Sequence, residues 1–414
     1  MMNIQALPFP GQLTTGQKTA RNIALTCLYK INKGSLTVVE SFSEHERTER
    51  HMFGRPKDGE PKALIEVKNP AFYARLLTGG SIAAGEAYMD GWWDSPDLTT
   101  LMELMALNLT ALDSIENRTS FLSKLTYKLG HWMNRNTVAN SEKNIQAHYD
   151  LSNELYQTFL DNNMLYSSAI FSSSNDSLEQ AQINKMERLC QQLKLTEHDS
   201  VIEIGTGWGA MAIYMAEKYG CQVTTTTISE QQYQYAKEQI ELKGLQNKIT
   251  LLKQDYRNLT GQFDKLVSIE MIEAVGKEFL NSYIQKCQSL LKPQGLMAIQ
   301  AITIADQRYD YYSNNVDFIQ KYIFPGGFLP SITALTHAAT NQSDLVLRDL
   351  HDIGLDYAQT LNAWYQKFNA AENRVRELGF DDTFIRMWNY YFCYCEGGFK
   401  AKSISTVHMT FQRA

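Results

Sequence analysis

From Asp199 onward the chain alternates short β-branched runs with amphipathic stretches that end in glycine, and this alternation constrains the fold more than any other feature. Asp199-Ser-Val-Ile-Glu-Ile-Gly reads as a buried strand, and Ala210 to Tyr219 as an amphipathic helix stopped by Gly220. Gln222-Val-Thr-Thr-Thr-Thr-Ile is a second strand, and Glu230 to Lys243 a second helix, stopped by Gly244. Ile249–Leu252, Phe263-Asp-Lys-Leu-Val-Ser-Ile and Gly295-Leu-Met-Ala-Ile-Gln-Ala-Ile supply a third, fourth and fifth strand. Strands alternating with helices predict an α/β domain built on a parallel sheet with helices on both faces.

The strongest local signal lies in that series. Glu203-Ile-Gly205-Thr-Gly207-Trp-Gly209 closes the first strand and opens the first helix. Glycines there let the backbone turn tightly and approach a ligand closely. The spacing is G-x-G-x-G, not the G-x-G-x-x-G of dinucleotide binders, and Glu203 stands two residues ahead of Gly205. That version suits S-adenosylmethionine, which has no pyrophosphate for a helix N-terminus to hold. The competing reading is a tight turn with no ligand. At the end of the third strand, Asp255 can accept from an adenine amino group and Tyr256 can stack beside the ring. The second strand ends in Thr227-Ile228 with no carboxylate, so another group, such as Gln232, must meet the ribose hydroxyls.

The first 60 residues are polar and mixed. Ser35-Leu-Thr-Val-Val-Glu and Ala63-Leu-Ile-Glu-Val read as strands, with a charged run, Glu44 to His51, between them as a solvated turn or edge. Helical pattern follows Asn69-Pro70 and resumes from Leu98 to about Leu109, after a glycine- and tryptophan-containing segment. Residues 114–144 are polar, helical and basic-leaning, as a connection between domains would be. The expected division is an N-terminal lipid-engaging domain over 1–125, a linker helix over 126–145 and a catalytic domain over 146–414. A length of 414 residues fits two to three domains at roughly 150 residues each.

With 39 basic against 45 acidic residues the chain carries a formal charge of −6, which argues against a dedicated nucleic-acid binder. The six cysteines form no CxxC pair, and Cys393 and Cys395 could not chelate zinc by themselves, so no metal is expected. A reduced, cytoplasmic compartment is the simpler reading. No charged-then-apolar leader opens the sequence, and no apolar run reaches the ~18 residues of a spanning helix. Contact with a bilayer would be peripheral.

The ordered set of motifs resembles the cyclopropane fatty acid synthases. The resembling stretches are His148-Tyr-Asp-Leu-Ser-Asn, Met164-Leu-Tyr-Ser-Ser-Ala, Glu203 to Gly209, Gln254-Asp-Tyr-Arg, Met271-Ile-Glu-Ala-Val-Gly and Phe324-Pro-Gly-Gly-Phe-Leu-Pro-Ser. Asp356-Tyr-Ala-Gln-Thr-Leu and Cys395-Glu-Gly-Gly-Phe follow, and Gly85-Glu-Ala-Tyr-Met-Asp-Gly-Trp-Trp is similar to the N-terminal domain of longer members. The resemblance implies a class I methyltransferase fold, a Rossmann-like doubly wound sheet, with a smaller N-terminal α+β domain. It implies an S-adenosylmethionine enzyme acting on unsaturated phospholipid acyl chains, peripheral at the inner face of the membrane, and a homodimer.

By the same resemblance the cofactor would meet Tyr166, Ser167, Gly205, Gly207, Thr227, Gln232, Asp255 and Tyr256. The catalytic centre would be a buried bicarbonate held by a Cys, a Glu, a His and a Tyr with a backbone contact from an Ile. Here the Glu is Glu273, the Tyr is Tyr357 and the Ile is Ile302, while Ser168 stands at the Cys position and Gln300 at the His position. Methyl attack on an alkene leaves a carbocation, and a base must then remove a proton to close a ring. Gln300 keeps a hydrogen-bonding head but cannot titrate near neutrality as His can. A changed proton loss, giving a methyl-branched unsaturated chain, is therefore an alternative product. A small-molecule C- or N-methyltransferase and a silent lipid-binding protein are the other readings. Each residue also has a plainer role: Glu273 as a helix-start cap beside Glu270, Tyr357 as a core aromatic, Asp255 as a turn acid.

Overall fold

The first unit is built on four strands, Ser35–Glu40 (β1), Glu49–Gly54 (β2), Lys62–Val67 (β3) and Trp93–Asp94 (β4), in the order β2-β1-β3-β4. β1 pairs antiparallel with β2 and parallel with β3, and β3 pairs antiparallel with β4. These come from a computed structural model that describes residues 13–42, 49–109 and 151–414. The expected linker over 126–145, His148 and most of the charged run Glu44 to His51 lie outside the described residues. The end of that run forms the edge strand β2, where charge discourages further strand pairing. Thr14 and Gln17 form a capping box at the start of the helix Thr15–Leu28. The helix Ala71–Met89 kinks at Gly80, whose φ of 61° suits glycine.

One helix of this unit comes from far along the chain. Phe380–Ala401 groups with the N-terminal residues, not with the stretch that precedes it. The expected catalytic domain over 146–414 is thus not continuous in the structure. The reason is close packing: a Cβ at Gly397 would sit 2.6 Å from Met102 Cβ and 2.5 Å from Glu103 N. Only a glycine lets the helix Asp382–Lys400 approach the helix Leu98–Leu107 this closely. Arg386 adds a guanidinium 4.0 Å from the Tyr88 ring centroid and a 2.9 Å bond to Asp94.

The second unit carries the expected series as Ser200–Ile204 (β5), Gln222–Thr227 (β6), Ile249–Lys253 (β7), Phe263–Ile269 (β8) and Leu291–Ile304 (β9). Leu345–Asp352 (β10) and Ile404–Arg413 (β11) complete a sheet in the order β10-β11-β9-β8-β5-β6-β7. β5 to β9 are mutually parallel, and β11 runs antiparallel to both of its neighbours. Period-two alternation divides the core. Val201 and Val267 face a cluster with Leu189, Met211 and Met215, while Ile202, Ile204 and Leu266 face one with Tyr283, Ile284 and Leu335. Helices therefore cover both faces, as the alternation predicts. The strand order reverses at β5, and in such sheets ligands bind beyond the carboxyl ends of the strands at that point.

Candidate active site

The loop after β5 occupies that point. Gly205, Gly207 and Gly209 have φ of 99°, 53° and 97°, in the left-handed region that side chains disfavour. A Cβ at Gly207 would meet nothing within 4 Å, so the space beside the loop is open. Gly209 backs onto Ala236, where a Cβ would come within 3.1 Å. Glu203 lies beneath the loop, buried, with one carboxyl oxygen accepting from Thr225 Oγ1 at 2.6 Å. Thr225 Oγ1 also lies 2.6 Å from Thr206 Oγ1. Burial pushes the Glu203 carboxyl up to about 8. Its geometry supports the loop from below.

At the end of β6, Thr227 Oγ1 donates to Gln232 Oε1 at 2.9 Å, which leaves the Gln232 amide group as a donor. Asp255 is forked by Arg257: Oδ1 accepts from its backbone N and Nε at 2.9 Å each, and Oδ2 from Nη2 at 2.7 Å. This fork was not expected from the sequence, and it holds the carboxylate with part of its accepting capacity in use. Tyr256 meets Tyr283 edge-on at 5.4 Å and packs against the core. Tyr166 sits among Tyr156, Trp364 and Phe324, with ring centroids 5.3, 5.2 and 6.2 Å away. Ser167 Oγ accepts from Lys185 Nζ at 2.6 Å, and Lys185 is wholly buried. Burial pulls that ammonium down to about 8, against the pull of Glu270 and Asp161.

The residues expected around an anion do converge, but on a different centre. Ser168 N–H donates to Glu270 Oε1 at 2.8 Å. Gln300 Nε2 donates to the same oxygen at 2.7 Å, and to Ser168 O at 3.1 Å. Tyr357 OH donates to Glu270 Oε2 at 2.9 Å. The Ser168 hydroxyl turns aside to the Ala169 carbonyl, so only its backbone reaches the centre. Glu273, the expected hub, instead accepts from Ile302 N at 2.5 Å through Oε1. Its Oε2 is buried with no hydrogen-bond partner among the described residues.

Glu270 was passed over in the sequence as a mere neighbour of Glu273. Its available signal was position: the first residue after β8, where a doubly wound sheet presents functional groups. Its φ is 47°, unusual for a side chain of this length. The backbone is held there by Glu270 N–H donating to Gln300 O at 2.8 Å. Burial raises both carboxyls. At Glu270 three donors and the Lys185 charge oppose the rise. Glu273 has one donor and the Glu270 charge beside it, and burial foremost pushes it up to about 8.

The expected bicarbonate does not fit this arrangement. Its intended donors, Ser168 N–H, the Gln300 amide and the Tyr357 hydroxyl, already serve Glu270. A second anion beside two carboxyls would add like charge in a buried site.

Comparisons with known proteins agree with the fold. Residues 136–409 match the family described as mycolic acid cyclopropane synthetase. The chain is 37% identical over 359 residues to the cyclopropane-fatty-acyl-phospholipid synthase of Escherichia coli, covering 86% of this chain and 89% of that one. It is 34% identical over 363 residues to a tuberculostearic acid methyltransferase of Mycobacterium tuberculosis, covering 86% and 84%. A crystal structure of a mycolic acid cyclopropane synthase complexed with SAH and CTAB aligns with a TM-score of 0.61 at 26% identity, covering 66% of this chain and 98% of that one. A coclaurine N-methyltransferase shares the fold alone, with a TM-score of 0.61 at 16% identity over 79% of this chain and 98% of that one. The fold is thus a class I methyltransferase sheet, and the chain belongs to the mycolic acid cyclopropane synthetase family.

Proposed function

We propose that this chain is an S-adenosylmethionine-dependent methyltransferase that converts the double bond of unsaturated phospholipid acyl chains into a cyclopropane. The observation that carries this reading is the match to a cyclopropane-fatty-acyl-phospholipid synthase over 86% of the chain, with the glycine loop intact. S-adenosylmethionine supplies an electrophilic sulfonium methyl. Gly205 and Gly207 would let the backbone approach that co-substrate, the Gln232 amide would donate to ribose, and Asp255 would accept from adenine through its remaining lone pairs. Tyr166 packs against Tyr156 and Trp364, and aromatic rings beside the acyl chain would favour a developing cation.

The alkene is a weak nucleophile, so positioning must supply much of the rate. The first unit serves as the membrane-facing part. Among the described residues no helix is long and apolar enough to cross a bilayer. Tyr29 and Met52 of that unit are 74% and 72% exposed, and they would meet the lipid surface from outside.

A second product is favoured by Gln300 at the expected His position and by the 34% identity to a protein named as a methyltransferase. Loss of a different proton would leave a methyl-branched unsaturated chain. Mass spectrometry of membrane lipids from cells with and without the protein, fed labelled methionine, tests both. A labelled cyclopropane acyl chain supports the first reading and a labelled branched alkene the second. Unlabelled acyl chains would remove both.

A further inference from the structure

We infer that Glu270 is the built-in proton acceptor of this enzyme, its carboxylate standing where the family resemblance calls for a bound bicarbonate. The inference rests on the methyl-transfer reading above. Its ground is geometric: a backbone N–H, a carboxamide and a phenol, from three separated parts of the chain, all converge on one side-chain carboxylate. Ser168 lies 102 residues from Glu270, Gln300 lies 30 away and Tyr357 lies 87 away.

That convergence does two things. It favours the ionised form, because all three groups donate to it. It also fixes the carboxylate while leaving Oε2, which among the described residues takes the Tyr357 hydroxyl alone, with accepting capacity to spare. A left-handed backbone under a glutamate is unfavourable, and such residues persist where the surroundings hold them for function. Glu273 complements this as the neutral partner. Burial, and next the Glu270 charge beside it, push its carboxyl up to about 8, and its Oε1 takes the Ile302 N–H while three donors serve Glu270.

The step balances without another reagent. A C–C bond forms between the sulfonium methyl and one alkene carbon as the C–S bond breaks, leaving a cation on the other carbon. Glu270 takes a proton from the new methyl group. The electron pair of that C–H bond closes the ring onto the cationic carbon, and the proton passes to water before the next turnover. Loss of a proton from a neighbouring chain carbon would give the branched alkene through the same base.

The full-length protein is tested in two arms. Carbon-13 NMR follows binding of labelled bicarbonate, and mass spectrometry follows turnover on dioleoyl-phosphatidylglycerol vesicles in buffer depleted of carbon dioxide. Wild type is expected to bind no bicarbonate and to change rate by less than about twofold when bicarbonate is added, whereas a group needed for proton removal is worth about 10²–10⁴. Glu270→Gly suits the local φ and vacates the anion position. It is expected to lose about 10²-fold or more in turnover, to bind bicarbonate, and to recover at least part of the rate when bicarbonate or formate is supplied. S-adenosylmethionine affinity by calorimetry should stay unchanged in that variant.

Saturable bicarbonate binding by wild type overturns the inference. So does a wild-type rate that collapses on carbon dioxide depletion, or full turnover by Glu270→Gln. If wild type modifies no acyl chain, the functional reading fails, and the binding arm still decides the occupancy. A bicarbonate signal only in Glu270→Gly supports Glu270 as the resident anion, and the same signal in both proteins overturns it.

Discussion

Gln300 on β9 and His408 on β11 stand directly opposite each other in an antiparallel pair, with Gln300 Oε1 2.8 Å from His408 Nε2. Because the Gln300 nitrogen donates to Glu270 and Ser168, its oxygen must accept, and the network assigns the proton of His408 to Nε2. His408 is wholly buried, its Nδ1 has no partner among the described residues, and burial holds the ring well below its ordinary value. The imidazole is therefore a neutral group that orients Gln300 behind the Glu270 carboxylate. Replacing His408 with Leu should free the Gln300 amide to rotate and leave a buried acceptor unpaired, at about 1–3 kcal/mol. Turnover should fall about tenfold or more while S-adenosylmethionine affinity by calorimetry stays within about twofold. Unchanged turnover would show that the Gln300 orientation does not depend on this ring.

A branched side chain at Gly207 would enter the open space beside the loop and would carry a φ of 53° that L residues disfavour. The strain alone is about 1–2 kcal/mol. Gly207→Val should weaken S-adenosylmethionine binding at least about tenfold, a loss of about 1.4 kcal/mol, as read by calorimetry. Unchanged affinity would place the co-substrate elsewhere.

Glu203 gives a pH signature in stability. Its carboxyl is about 8 when folded, against an ordinary value of 4.5. Between those values the folded state keeps a proton that the unfolded chain has released, so stability falls as pH rises through this window, by at most roughly 1.4 kcal/mol per pH unit. Glu203→Gln removes the titration and can still accept from Thr225. Thermal melts from pH 5 to 8 should therefore decline less steeply in Glu203→Gln than in wild type. Parallel slopes would mean that the buried carboxyl does not titrate there.

The two neighbouring acids should separate in their isosteric variants. Gln at position 273 mimics a neutral acid: its oxygen can accept from Ile302 N–H as Glu273 Oε1 does. Gln at position 270 presents donors to donors and loses the charge. Glu273→Gln should keep turnover within about tenfold of wild type, whereas Glu270→Gln should lose about 10²–10⁴. The reverse order in a steady-state assay would return the hub to Glu273.

The first unit should be the one that finds lipid. Tyr29→Asp with Met52→Asp adds charge at two well-exposed apolar sites and gives up the edge contact of Tyr29 with the buried Phe53 ring, 5.0 Å between centroids. Co-flotation of the full chain with anionic vesicles should drop severalfold, since the added carboxylates are repelled by an anionic surface. S-adenosylmethionine affinity should not move. Equal flotation would put the membrane contact on another surface.

The strands β5 to β9, the helices Ala210–Tyr219 and Glu230–Leu242 and the glycine loop were legible because each is a local pattern, whereas the helix Leu280–Leu290 between β8 and β9 was not read. Period two, period 3.6 and a glycine stop can all be read within a dozen residues. The edge strand β10, with Arg348, Asp349 and His351 on a largely exposed run, gave no such pattern. The helix Asp382–Lys400 read as part of its own stretch of sequence, because nothing local says which distant surface Gly397 lies against. Of the positions that the resemblance named, Ser168, Gln300 and Tyr357 meet at Glu270, and Ile302 meets Glu273.

What the sequence could not decide was which carboxylate they serve. Glu270 and Glu273 are three residues apart and alike in chemistry, and the distinction depends on which oxygens point where. The sequence by itself determined the α/β series and the glycine loop, since these follow from local spacing, while the set of residue types at the site came from the resemblance to a family. Only the tertiary structure decided that Ser168, Gln300 and Tyr357 donate to Glu270, that His408 backs Gln300, and that Glu273 has a buried oxygen with no partner among the described residues. These are relations across 30 to 108 residues, and they are set by side-chain direction and burial in the folded chain.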